Sequence, residues 1–263
     1  MNNKLRKMYI INSKNIKFLL LAGMFFGENS ICDAAENGKE INVCAIPQTY
    51  DYLEHVKKNY KENPLNIHYA SASMIYASVV NKELKCDIYI GNDEKFPVRY
   101  ISSDLGDINN YGSFAQTSLA LFSVTSIVDR GCEIISKGTY SKLVIPNPKY
   151  NVSGFWAQKI LDSYTKEDGK LKDKIIYNDN EYAVLGGVVN GYVTMGILPY
   201  NIIVNNKFKK SGSFCIFNSK LHEPLYYYYM MFKNTSDYDA TVKFKNYLLS
   251  DESKTILKKH GYK

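Results

Sequence analysis

Apolar residues recur along this chain in short blocks separated by polar turns, and the blocks alternate between two periods. Glu40 to Ala45 is an apolar run of strand length, turned by Pro47-Gln48-Thr49. Tyr52, Leu53, Val56 and Tyr60 then fall at helical spacing, which predicts a helix over 50–62, ended by Asn63-Pro64. Leu65 to Tyr69 reads as a second strand and Ala70-Ser71-Ala72-Ser73 as a small-residue turn. A helix from Met74 to Asn81 leads to a third strand, Cys86 to Ile90, closed by Gly91-Asn92-Asp93. Strands alternating with helices imply βαβ units, a parallel sheet and an α/β fold.

The pattern is lost over 95–115, which reads as irregular because of Pro97 and several Gly, Ser and Asn. It resumes with a strand over Thr117–Thr125, and 126–142 carries no readable period. A second series follows: strand Leu143–Pro146, helix Phe155–Tyr164, strand Ile175–Tyr177, helix Glu181–Asn190 and strand Val193–Leu198, broken by Pro199-Tyr200-Asn201. Phe214–Phe217 and Leu225–Phe232 are further strands. The stretch from Ala240 to Lys263 reads as an amphipathic helix, a cap at Ser250-Asp251-Glu252, and a short second helix stopped by Gly261. Two series of units with a return at the end imply two lobes. Ligands of open α/β sheets bind at the carboxyl ends of the strands, so the turns there face a cleft.

Composition changes this picture little. The net charge of +7 falls to +4 without residues 1–35, which hold five bases and two acids and leave 28 bases and 24 acids. No basic run interleaves with aromatics, so nucleic acid is not an expected partner. Residues 1–35 read as an export signal: basic up to Lys17, apolar from Phe18 to Phe26, then small residues for cleavage near Ala34. Cys32 offers a lipid attachment site, although Ile31 stands where a small residue is expected before it. The expected location is the periplasm. Four cysteines remain beyond the signal, Cys44, Cys86, Cys132 and Cys215. In an oxidising compartment they allow three disulfide pairings, and buried free thiols are the other reading. No Cys or His spacing suggests a metal, and no cofactor is expected.

Six stretches in order carry a resemblance from Glu40 to Lys263: INVCAIPQT, HYASASMIYASVV, CDIYIGND, NPKYNVSGFWA, NEYAVLGGVVNGYVTMGILPYN and the C-terminal A-x3-F-x2-Y-L-L-S-x-E-x3-I-L-x3-G-Y. The chain resembles the periplasmic molybdate-binding proteins of ABC importers. The resemblance implies the two-lobed type II periplasmic binding fold, with residues 38–115 plus 226–263 as the first lobe and 116–225 as the second. It implies a monomeric, non-enzymatic solute-binding component that delivers a small molecule or oxyanion to an ABC permease. Molybdate or tungstate is the expected cargo if the family ligand is kept.

The resemblance carries the ligand positions to Gln48, Ala72, Ser153, Glu181 and Pro199 or Tyr200, where the family has Ser, Ser, Ala, Val and Tyr. Thr49 follows the first position, and Ser71 and Ser73 flank the second. Such sites hold an oxyanion with helix-terminal N–H groups and hydroxyls. Glu181 opposes that chemistry, unless it is an N-terminal helical acid facing solvent. Gln48, Ser71, Ser73, Ser153, Glu181 and Tyr200 suit a polar or cationic organic ligand instead. Tyr226–Tyr229 is similar to the paired tyrosines of ferric-binding proteins, but alternate rings of a strand point to opposite faces, which favours packing. An enzyme on the same fold would use Cys44 as its nucleophile, and no partner base is spaced for it. His55 and His260 read as surface groups on helices, and Trp156 as a packing residue.

Overall fold

The computed structural model describes residues 38–128, 131–164, 172–205 and 212–263. The expected signal and Cys32 lie outside these residues. Ten strands form two five-stranded sheets. The first comprises β1 (Ile41–Ala45), β2 (Leu65–Tyr69), β3 (Ile88–Gly91), β4 (Gly106–Thr117) and β10 (Leu225–Phe232), in the order β2-β1-β3-β10-β4. The second comprises β5 (Leu119–Ser123), β6 (Leu143–Pro146), β7 (Ile175–Asn178), β8 (Met195–Pro199) and β9 (Ser213–Ile216), in the order β7-β6-β8-β5-β9.

The two sheets repeat one plan. In each, three parallel strands are continued by an antiparallel strand: β10 lies antiparallel to β3 and β4, and β5 antiparallel to β8 and β9. The chain crosses between the sheets over Ser118, between β4 and β5, and returns between β9 and β10. Both sheets are mixed and flanked by helices, the two-lobed α/β architecture expected.

Most helices lie where the hydrophobic period puts them: α1 (Tyr50–Asn59), α2 (Ala72–Val80), α5 (Val152–Tyr164), α6 (Glu181–Val189), α8 (Tyr238–Leu248) and α9 (Asp251–Lys259). Their starts are fixed chemically. The side chains of Ser71, Asn180, Asp237 and Ser250 each accept a hydrogen bond from a first-turn amide, the N-cap arrangement. Three segments depart from expectation. Residues 95–115 are ordered as α3 (Lys95–Ser102) and the edge strand β4. Pro97 is tolerated because it sits in the first turn of α3, where its missing N–H costs no helical bond. The polar β4 needs only one partner, β10, and so lacks the apolar signature of a central strand. The unread stretch contains α4 (Ile134–Lys137), and Pro199-Tyr200-Asn201 does not simply end β8 but starts α7 (Tyr200–Asn205).

The C-terminal helices rejoin the first sheet. Phe244, Leu248, Ile256 and Leu257 are buried in one cluster with Tyr52, Leu53 and Val56 of α1 and with Val43 of β1. The hydroxyls of Tyr52 and Ser253 share a buried 2.6 Å hydrogen bond. The last residue zips onto the crossover: Lys263 N–H donates to Gln116 O at 2.8 Å, and Thr117 Oγ1 donates to Gly261 O at 2.9 Å. Gly261 has φ +83°, and a Cβ there would meet Val204 at 2.7 Å and Asn201 at 2.9 Å. Only glycine lets the tail turn this tightly against α7.

Each sheet carries one disulfide. Cys44 pairs with Cys86 and Cys132 with Cys215, with Cα atoms 5.8 and 5.7 Å apart. The first joins β1 to the approach to β3, and the second ties the segment before α4 to β9. Cys44 is therefore buried and bonded, and offers no thiol nucleophile; the enzyme reading built on it falls. In β10 the tyrosine run alternates: Tyr227 and Tyr229 are buried, while Tyr226 is 40% exposed. Trp156 packs against the core of the second sheet. His55 and His260 are not independent surface groups. They are half-buried, and His55 Nδ1 lies 2.9 Å from His260 Nε2. Among the described residues no helix is long and apolar enough to cross a membrane.

Candidate functional site

A cleft with a cavity of about 640 Å³ opens where five parallel strands end. The turns after β1, β2 and β3 supply Pro47 and Gln48, then Ser71, Ala72 and Ser73, then Asn92 and Asp93. The turns after β6 and β7 supply Lys149 to Val152, then Asp179 to Tyr182. This placement follows from topology, because parallel strands linked by helices send all their carboxyl-end turns to one edge.

The cleft is organised by Glu181. It is the first residue of α6, yet it is 1% exposed. Its Oε2 accepts a hydrogen bond from Gln48 Nε2 at 2.8 Å, and its Oε1 one from Ser153 Oγ at 2.6 Å. The carboxylate therefore faces inward and does not point to solvent. It bridges the turn after β1 in the first lobe and the first turn of α5 in the second. An acid at this position also meets the positive end of the α6 dipole. Each hydrogen bond to a charged group contributes about 1.5–3 kcal/mol, which helps offset burying the charge.

Gln48 lies on a one-turn 3-10 segment, Pro47–Thr49, that collects further bonds from both lobes. Its carbonyl accepts from Asn201 Nδ2 and from the Tyr262 hydroxyl, each at 3.1 Å. Tyr182 of α6 donates its hydroxyl to Pro47 O at 2.9 Å. Burial, and then the nearby carboxylates of Asp51 and Glu181, raise the Tyr182 pKa well above the usual tyrosine value, so this donor keeps its proton. Asn201 is 1% exposed; it also donates to the Tyr262 hydroxyl at 3.0 Å and accepts from Tyr227 at 3.4 Å. Asn201 and Tyr182 hold the two lobes together at this turn, and the sequence reading assigned neither a role. The available signal was an asparagine one residue past a strand-ending Pro-Tyr, which also fits a simple turn.

Of the residues named from sequence, Gln48, Ser71, Ala72, Ser73 and Glu181 line the cavity. Ser153 is fully buried behind it and spends its hydroxyl on Glu181. Thr49 is also buried and donates to Ile46 O at 2.7 Å. Tyr200 stands apart: its ring packs against Phe214, 5.4 Å between centroids, on the core side of the second sheet. The strand ends at Pro199 and the helix starts at once, which turns the Tyr200 ring away from the cleft.

The donors and acceptors left over define what the cleft can hold. The first-turn amides of α2, at Ala72 and Ser73, have no protein partner among the described residues, and the Ser71 and Ser73 hydroxyls lie 3.2 Å apart beside them. Lys95 is paired with Asp93 at 2.6 Å, whereas Lys149 has no ion-pair partner among the described residues. Gln48 Oε1 is buried out of reach of solvent, with no hydrogen-bond partner among the described residues. Its sister atom Nε2 is aimed at the Glu181 carboxylate, which fixes the amide's orientation. Among the described residues no group of three or more His, Cys, Asp or Glu could hold a metal.

Two sheets of one plan, joined by two crossovers and meeting over a polar cleft at their carboxyl ends, define a two-lobed binding protein for a small solute. The chain belongs to the family of bacterial extracellular solute-binding proteins, which it matches over residues 27–263. It is 24% identical over 255 residues to the Bacillus subtilis protein named "Putative ABC transporter substrate-binding lipoprotein YvgL", covering 93% of this chain and 94% of that one. Two solved structures share the fold. The Azotobacter vinelandii periplasmic molybdate-binding protein superposes with a TM-score of 0.74 at 18% identity, over 85% of this chain and 98% of that one. A Clostridium difficile substrate-binding domain assigned to a molybdenum ABC transporter gives 0.72 at 22% identity, over 86% and 98%.

Proposed function

We propose that this protein is the exported solute-binding component of an ABC importer, and that its cargo is a small polar organic solute and not a compact dianion such as molybdate. The family and the fold support the first part. Residues 1–35 direct export to the periplasm, and the protein acts as a monomer. Residues 38–115 with 226–263 close against 116–225 about the two crossovers, and a permease reads the closed form.

The buried Glu181 carboxylate carries the second part. It occupies the Gln48 and Ser153 donors that would otherwise serve an oxyanion. A dianion about 4 Å from it would be repelled by roughly 8 kcal/mol at an effective dielectric near 20. Charge-assisted hydrogen bonds of about 1.5–3 kcal/mol each would have to supply at least three extra donors in compensation.

Calorimetric titration with molybdate, tungstate and sulfate tests this, together with native mass spectrometry of freshly purified protein. The expected result is no saturable oxyanion binding at micromolar concentration and a co-purified organic mass. Tight molybdate binding would refute the altered specificity while leaving the transport role in place.

A further inference from the structure

The two crossovers between the lobes are joined by a titratable side chain. Outward, the chain passes over Ser118 into β5; on the way back it passes through 217–224 into β10. His222 of the returning segment is 5% exposed. Its Nε2 accepts from Leu119 N–H at 3.3 Å, and its Nδ1 donates to Glu223 O at 2.6 Å. A carbonyl oxygen only accepts, so the ring hydrogen sits on Nδ1 and Nε2 carries the lone pair. A protonated ring carries a hydrogen on both nitrogens, and its Nε2–H would face Leu119 N–H donor to donor. Resting on the solute-binding reading above, we propose that His222 is an acid-released pin: neutral, it ties the two crossovers together, and protonated, it lets them part and frees the lobes to rotate about them.

The ring's surroundings offer an added proton no counter-ion. His222 lines a cavity of about 130 Å³ with Thr117 and Ser118 of the outgoing crossover, Ser219 and Pro224 of the returning one, and Lys263 of the tail. The Lys263 ammonium donates to Ser118 Oγ at 3.1 Å, and the Lys263 carboxyl oxygen is occupied by Gln116 N–H at 3.3 Å. The Glu223 side chain is exposed. Burial is the largest cause holding the His222 pKa below the usual histidine value; the bond to Glu223 O works against it, and the Lys263 ammonium works with it. The pinned form therefore binds a proton less readily than a parted form whose ring meets water. The tie is complete above about pH 6.5, the ordinary histidine value, and is lost as the pH falls below it. The neighbouring link, Phe217 N–H to Leu119 O at 3.0 Å, is backbone and does not titrate. A second histidine at a lobe junction behaves differently. His260 Nδ1 donates to Asn205 Oδ1 at 2.8 Å, and its Nε2 meets His55 Nδ1 at 2.9 Å. A proton on His260 Nε2 can be donated to His55 Nδ1 once His55 carries its own hydrogen on Nε2, so that pair takes up one proton with both bonds kept. Leu119 N–H cannot become an acceptor, and His222 has no such escape.

Two measurements on the mature protein, neither needing a solute, test the pin. The first is NMR-detected exchange of the Leu119 amide from pH 7.5 to 5.0, corrected for the intrinsic pH dependence of exchange. Its protection factor is expected to fall by up to about tenfold per pH unit below about pH 6.5. The second is a distance distribution between spin labels carried on unnatural side chains at Lys57 in the first lobe and Lys159 in the second, both exposed positions. It should broaden over the same pH range. In His222→Gln the amide oxygen accepts from Leu119 N–H at every pH, so both responses are expected to vanish. In Lys263→Met the midpoint should move to higher pH, because a nearby cation is gone; this variant decides the matter if His222→Gln does not fold. The inference is overturned if Leu119 protection is flat in the wild-type protein, or if it falls while the lobe distance stays unchanged. It is also overturned if His222→Gln keeps the response, or if Lys263→Met leaves the midpoint where it was. Each of those outcomes leaves the solute-binding reading standing. That reading fails separately, if no small molecule of any class binds or co-purifies.

Discussion

Replacing Glu181 by glutamine isolates the electrostatics of the cleft. The substitution keeps the side chain's shape and removes one buried negative charge. Gln48 can flip its amide, so that Gln48 Oε1 accepts from the new amide and the Ser153 hydroxyl still finds an oxygen. Two charge-assisted bonds of 2.8 and 2.6 Å become neutral ones, at a cost of about 1–3 kcal/mol in stability. The gain for an anionic guest is larger. The carboxylate repels each unit of guest charge by roughly 4 kcal/mol at about 4 Å and an effective dielectric near 20, and a dianion by twice that. Glu181 is 1% exposed, so solvent screens little of this field. If only a quarter of the effect on a dianion survives, about 2 kcal/mol, affinity rises roughly thirtyfold. The assay is calorimetry with molybdate on wild type and Glu181→Gln at matched ionic strength, with thermal unfolding to confirm the variant is folded. A wild-type protein that binds molybdate below micromolar Kd, or a folded variant with unchanged affinity, would refute the reasoning.

Three further outcomes follow from the same geometry. Reducing the disulfides, which close spans of 42 and 83 residues, should cost about 4 kcal/mol each in the chain-entropy picture; scanning calorimetry with and without a phosphine reductant should show Tm falling by about 10 °C or more, and an unchanged Tm would mean the cysteines contribute only as buried thiols. In Gly154→Ala, the added Cβ would lie 2.3 Å from Pro146 O, so α5 must shift off β6 and carry Ser153 away from Glu181; denaturant unfolding should show a loss of about 1–3 kcal/mol, and wild-type stability would show the contact to be slack. Stability should also fall with acid. His222 is held below the usual histidine value chiefly by burial, and His260 by burial and then by His55. His222 Nε2 accepts from Leu119 N–H while Nδ1 donates to Glu223 O, so the folded protein needs the neutral ring. Both folded-state pKa values lie below 6.5, so the unfolded chain takes up protons first. The contribution is complete above that pH and is lost below it. Tm should drop between pH 7.5 and 5.5 and drop less in His222→Gln; a flat profile would contradict the assignment.

The chain's own pattern of apolar blocks determined the α/β class, most strand and helix positions, and the return of the C-terminal helices. These are local matters. The apolar stripe of α8 and the run of β1 bury whatever they meet, and Ser71, Asn180 and Ser250 cap their helices from a few residues away. The turn residues of the cleft were legible for a related reason, since parallel βα units must bring their carboxyl-end turns to one edge. What the tertiary structure alone decided depends on partners distant in sequence. Edge strand β4 reads as polar loop until β10, more than a hundred residues later, pairs with it. Tyr200 and Ser153 carry suitable hydroxyls, but packing against Phe214 and bonding to Glu181 take them out of the cleft. The direction in which Glu181 points could not be read from a helix N-terminus, where an acid is equally at home facing water. It is set by the Gln48 amide, 133 residues away, because a buried carboxylate holds its position only where donors from elsewhere in the fold converge on it.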